Sequence, residues 1–142
     1  MGIAMASNLE QLQRRLGYVF DDPELLTLAL SHRSFTGPNN ERMEFLGDAM
    51  LSAIIAAHLF NEVPGGDEGY LTKMRSKVVS REHLNELGRD LELIKHVKTT
   101  VPIGQFGGNI HGNVFESLVG AIYLDRGYKY CEKFINKRVI LP

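Results

Sequence analysis

The chain has one cysteine and no tryptophan among its 142 residues. A lone thiol, Cys131, can build neither an internal disulfide nor a thiolate metal site. No apolar run reaches the roughly 18 uncharged residues of a membrane span, and no signal peptide is visible. The chain also lacks the strong positive charge usual in a free-standing nucleic-acid binder: 16 Lys and Arg against 17 Asp and Glu leave a net charge of −1. A nucleotide-binding loop is missing too. The segment GQFGGNIHGN (104–113) is rich in glycine, but it has no GxxxxGK[ST] pattern and no strand–loop–helix unit around it. It reads as a connection. What remains is one ordinary domain with a sizeable core. Its expected setting is reducing and cytoplasmic, with no membrane and no nucleotide cofactor.

What is present is almost entirely helical. Residues 1–7 (MGIAMAS) carry no pattern and are expected to be a disordered start or a tag remnant. Asn8–Leu16 is amphipathic and Gly17 ends it. Asp22 caps a helix from Pro23 to about Leu30, with proline at its first position. Residues 36–40 (TGPNN) form a loop. A long helix runs from Glu41 to about Phe60 with Asn40 as N-cap, and VPGG (63–66) breaks the chain. Glu68–Val79 is a helix of alternating charge. Ser80 caps the next helix, which stops near Gly88. Residues 95–101 are short and β-prone. Asn113–Leu124 and Tyr128–Ile140 complete an all-α chain.

The long helix concentrates the chemistry. NERMEFLGDAMLSAIIAAHLF (40–60) carries Glu41, Glu44 and Asp48 at its front. At 100° per residue these three fall within an arc of about 60°. Beyond Glu44 nearly every position is apolar or small, on all sides, as in a buried helix. A buried carboxylate needs a partner or must become neutral. The helix dipole alone would favour an acid at Glu41, but it leaves Asp48, two turns in, unexplained. NVFESLVGAIYL (113–124) is a second apolar helix, with Glu116 as its one charge and Asn113 on the same face. Gly47 and Gly120 each interrupt an apolar helix at a cost of about 1 kcal/mol against alanine, which points to close helix–helix approach. Together Glu44, Asp48, Asn113 and Glu116 describe an oxygen-only site for a hard cation, Mg²⁺ or Mn²⁺. Local basic strips accompany it, at Lys73, Arg75, Lys77 and Arg81 and again at Lys129, Lys133, Lys137 and Arg138. Each could equally be a solvated helix face. His32, in SHRSF, reads as a structural hydrogen-bonder, and His111 as a neighbour of the site rather than a ligand.

Four segments together resemble the ribonuclease III family: ALSHRSF (29–35), NERMEFLGDAML (40–51), DEGYLTKMRSKVVS (67–80) and NVFESLVGAIYLD (113–125). They occur in the family's order and spacing, and together span most of residues 10–130. The chain is similar to the bacterial ribonuclease III endonuclease domain. The resemblance implies an all-helical fold over residues 8–142 and a homodimer; bacterial members usually continue into a double-stranded-RNA-binding domain, and none is expected within this chain. It implies Mg²⁺-dependent (or Mn²⁺-dependent) hydrolysis of double-stranded RNA in RNA processing, leaving 5′-phosphate and 3′-hydroxyl ends with two-nucleotide 3′ overhangs. It puts Glu44, Asp48, Asn113 and Glu116 on metal-ligand positions, the third usually aspartate. Glu41 and Glu68 fall on further catalytic or auxiliary acidic positions, and Phe45 with Glu41 on the dimer interface. Lys73, Arg75, Lys77 and Arg81 become candidate RNA contacts. Asn113 leaves the set one negative charge short of four carboxylates. The chain is therefore expected to be either a nuclease with a neutral fourth ligand or a weakened relative that binds RNA or ribosomes as a dimer.

Overall fold

The computed structural model describes residues 2–35 and 37–140. Among them are seven α-helices and no strand: α1 (Gly2–Leu16), α2 (Pro23–Ala29), α3 (Glu41–Glu62), α4 (Glu68–Val78), α5 (Arg81–Asp90), α6 (Ile110–Arg126) and α7 (Tyr128–Ile135). Helix α1 starts six residues ahead of the expected Asn8. Residue 1, and Thr36 in the expected 36–40 loop, lie outside the described residues. The β-prone stretch forms a 3₁₀ turn, Leu93–His96. It then makes a single parallel bridge between Ser31 and Lys98.

Local chemistry accounts for most of the helix starts. Asp22 accepts from the Glu24 N–H, Asp67 from Tyr70 and Ser80 from His83, each satisfying a donor that a first helical turn leaves free. Asn40 departs from expectation. Its side chain is buried and donates to the Ala29 carbonyl at 2.9 Å, so it ties α3 to α2. The acceptor for the Glu41 N–H is Asn39 Oδ1, at 3.0 Å. Helix α6 starts at Ile110 rather than Asn113, because Asn85 Oδ1 accepts the Gly112 N–H at 2.8 Å and the Asn109 carbonyl accepts that of Asn113 at 3.0 Å. At the far end α7 stops at Ile135, and one π-helical turn carries Asn136–Ile140.

Helix α6 is the centre of the molecule. Every residue from Val114 to Ile122 is buried, and α2, α3, α5 and α7 all pack against it. Phe115, Leu118 and Ile122 meet Leu51, Ile54 and Ile55 of α3 and Leu84 of α5 in one apolar cluster. Full burial of each such side chain is worth about 1.5–3 kcal/mol. The α3–α6 crossing is closest at the two glycines. A Cβ on Gly47 would overlap the Glu116 carbonyl oxygen, and one on Gly120 would overlap that of Met43. The expected close approach is therefore backbone against backbone.

Helix α3 departs from the sequence reading in one respect. Only its inner face is buried. Phe45 is 80% and Phe60 72% exposed, and Ala49, Ala53 and Ala57 between them are exposed as well. By length and composition it is also the one helix among the described residues that could cross a bilayer. Here its inner face is core, packed on α6.

Gly47→Ala should cost about 3 kcal/mol or more, at the upper end of overpacking penalties, because backbone cannot move aside as a side chain can. Urea unfolding measures this. A loss below about 1 kcal/mol would contradict the crossing.

Candidate metal centre and cleft

The crossing at Gly47 and Gly120 brings four oxygen-bearing side chains to one place. Glu44 and Asp48 flank Gly47 along α3, and Asn113 and Glu116 precede Gly120 on α6. All four line one cleft of about 670 Å³. They are not equally buried. Glu116 is 2% exposed and Glu44 is half-buried, while Asp48 and Glu41 are exposed toward the cleft. The expectation of buried acids therefore holds for Glu116, partly for Glu44, and not for Asp48 or Glu41.

Electrostatics follow that gradient. Burial, reinforced by the Asp48 carboxylate, pushes Glu116 up to about 8, against the pull of Arg81. Partial burial raises Glu44 above its ordinary range, opposed by Arg81 and reinforced by Glu41. Carboxylates in this state favour a cation among them. One is already there. Arg81, at the first position of α5, donates from Nη1 to Asn113 Oδ1 at 2.8 Å and from Nη2 to Glu116 Oε1 at 3.3 Å. The sequence reading made Arg81 a surface phosphate contact, but its guanidinium lies inside the acid cluster.

The donor set suits Mg²⁺ or Mn²⁺: carboxylate and amide oxygens, with no soft ligand. Among the described residues no three Asp, Glu, His or Cys side chains are grouped closely enough to hold a metal ion as they stand. The residues fit the ion in kind.

The remaining candidates divide. Glu41 lines the cleft, with Phe45 beside it. Glu68 does not. It borders a separate groove with Phe60, Leu71 and Arg75, because the VPGG break sets α4 beside the C-terminal half of α3. Lys73 and Lys77 are exposed on α4, Arg75 is half-buried, and none of these three lines the cleft. His111 is no ligand either. Its Nδ1 is buried without a partner, and its ring does not line the cleft.

Two contributions were not anticipated. The glycine-rich segment supplies one wall, through Gln105, Phe106, Gly107 and Asn109. His32 and Arg33 supply another. The His32 ring lies 4.1 Å from that of Phe106, and its Nδ1 accepts the Ser34 N–H at 3.0 Å. Acceptance at Nδ1 leaves the proton on Nε2 while the ring is neutral. Burial and then Arg33 lower its pKa, so it is neutral at pH 7 and offers an N–H donor. A single histidine between serines gave no pattern from which to read this.

The folded value of Glu116, about 8, lies above its ordinary 4.5, so the folded chain holds a proton that the unfolded chain releases between those limits. Stability from this group is full below about 4.5 and is lost as pH rises to about 8. Metal-free protein should therefore lose stability between about pH 5 and pH 8, and Glu116→Gln should flatten the slope. Urea unfolding across that range checks this, and parallel slopes for the two proteins would contradict it.

A ribonuclease-III-like family model matches residues 22–142. A ribonuclease 3 of Zunongwangia profunda is 62% identical over 138 residues, covering 92% of this chain and 57% of that protein. The chain spans about half the length of the curated relatives it matches. A crystal structure of the nuclease domain of ribonuclease III from Campylobacter jejuni superposes with a TM-score of 0.86 at 32% identity, covering 93% of both chains. A second structure of that domain, described for structural flexibility in a region involved in dimer formation, superposes at 0.85 and 32% identity, covering 94% of this chain and 99% of that one. With an all-helical fold, the acid cluster at the α3–α6 crossing and these matches, the chain belongs to the ribonuclease III family and has the fold of its nuclease domain.

Proposed function

We propose that this chain is a divalent-metal-dependent endonuclease domain that hydrolyses double-stranded RNA. The observation that carries the reading is the convergence of Glu44, Asp48, Asn113 and Glu116 on one cleft, which Arg33 and His32 also line. Glu44, Asp48, Asn113 and Glu116 would hold Mg²⁺, or Mn²⁺ in its place. When bound, the ion supplies charge stabilisation at the phosphate and lowers the pKa of an attacking water. Arg33 offers a charged donor, and His32 a neutral one, to phosphates on either side of the scissile bond. No side-chain nucleophile is required. Products with 5′-phosphate and 3′-hydroxyl ends and two-nucleotide 3′ overhangs follow the family pattern.

A-form RNA hides its base edges, so recognition rests on phosphates, 2′-hydroxyls and helix shape. Lys73 and Lys77, exposed one turn apart on α4, extend the phosphate contacts beyond the cleft. Few phosphates are neutralised in all, and binding by this chain alone should be weak and strongly salt-dependent. The setting is cytoplasmic, and the task RNA processing.

The unit is a homodimer. The outer face of α3 carries Phe45, Ala49, Ala53, Ala57 and Phe60, all exposed in one chain. An apolar helix face of this length is covered in a stable soluble protein, and a second copy is its natural partner. Two clefts facing opposite strands would cut both. Asn113, neutral and bonded to Arg81, favours a second reading, a dimer that binds RNA but cuts poorly.

Long double-stranded RNA at low salt with Mg²⁺ or Mn²⁺ should be cut. Asp48→Asn and Glu116→Gln should each lower the rate at least about 100-fold, since even outer-shell partners of a metal site cost 10–100-fold. Unchanged cleavage in both would remove the site assignment. Cutting by Asn113→Asp alone would favour the second reading. Sedimentation at micromolar concentration should give a dimer, and Phe45→Asp should shift it toward monomer. A monomeric parent chain would overturn the two-strand scheme.

A further inference from the structure

We propose that Arg81 is a resident counter-ion of the metal centre: it occupies the Asn113–Glu116 half of the site without metal and must be displaced for a divalent cation to bind. This rests on the metal-site reading above.

Three observations support it. The first is geometry. The two terminal nitrogens of Arg81 reach Asn113 Oδ1 and Glu116 Oε1, the two ligand atoms that α6 contributes. A guanidinium forked across both occupies the oxygens that would help to hold an ion. The second is position. Arg81 is the first residue of α5, where a positive charge opposes the helix dipole. Its contacts with α6 offset that penalty, and the helix does not need the charge, because Ser80 caps it and Leu84 and Leu87 anchor it in the core. The third is exposure. The Arg81 side chain is 43% exposed and that of Glu116 2%. The guanidinium can therefore swing into the cleft while the carboxylate stays.

The charge count shows why such a device belongs with Asn113. Three carboxylates and an amide bind a divalent cation less strongly than four carboxylates. Arg81 cancels part of what is left. A weakly held ion would then bind best once an anion in the cleft takes up the displaced guanidinium. Metal and RNA phosphate would thus favour each other's binding through one side chain.

The test is calorimetric titration of Mn²⁺ into the whole chain without RNA. Arg81→Met should bind about tenfold more tightly than the parent, the worth of one charge-assisted contact. Arg81→Lys, which keeps the charge but loses the fork, should fall between them. Equal or weaker binding by Arg81→Met overturns the proposal and makes Arg81 a support for the ligands. Binding by Arg81→Met alone supports it in its strongest form. Absence of binding by both proteins at millimolar Mn²⁺ sinks the metal-site reading and the proposal with it. Thermal melting confirms that each variant is folded. If Arg81→Met is not folded, Arg81→Lys decides, with tighter binding than the parent expected and equal or weaker binding overturning the proposal.

Discussion

Helices α3 and α6 touch through their backbones, and the rest of the molecule is arranged around that contact. Side chains normally keep helix axes 8–10 Å apart. Where Gly47 faces the Glu116 carbonyl and Gly120 faces that of Met43, no side chain intervenes. The four cleft residues with oxygen-bearing side chains sit within a turn or two of those glycines. A wider crossing would separate Glu44 and Asp48 from Asn113 and Glu116 and leave two unrelated acidic faces. Stability and chemistry therefore depend on the same few ångströms, and each glycine is needed for both.

That closeness creates an electrostatic problem. Glu116 is driven under the surface beside Asp48, with its ionised form disfavoured. The chain has two local answers: a proton on Glu116, or the guanidinium of Arg81. Asn113 eases the repulsion by carrying no charge and accepts a hydrogen bond from the same arginine. Mutual repulsion among the acids, opposed by one half-exposed guanidinium, is the electrostatic state of the cleft.

The second face of α3 is a separate constraint. A helix that is apolar all round must be covered all round, and one chain covers only half of it. Phe45 stands where the two demands meet, on the rim of the cleft and at the head of the exposed stripe. Any cover over this face would also border the cleft at that residue.

Much was legible without coordinates, because it depends on neighbours in the chain. The 3.6-residue period located the helices, the Asp22 and Ser80 side chains marked two starts, and glycines in apolar helices pointed to a close crossing. The grouping of Glu44 and Asp48 on one helix, and of Asn113 and Glu116 on another, is also a matter of spacing within a helix. What remained hidden depends on residues far apart in sequence. Arg81 and Asn113 are 32 positions apart, and only the docking of α5 on α6 makes them partners. His32 and Arg33 come to line the cleft beside Phe106 because the chain after Leu30 bridges to Lys98. Glu68 shares its charge with the cluster but not its location, since the turn before α4 directs it elsewhere. A sequence records which side chains share a helix face. Which faces meet, and which charges answer one another across the gap, is settled only when the helices pack.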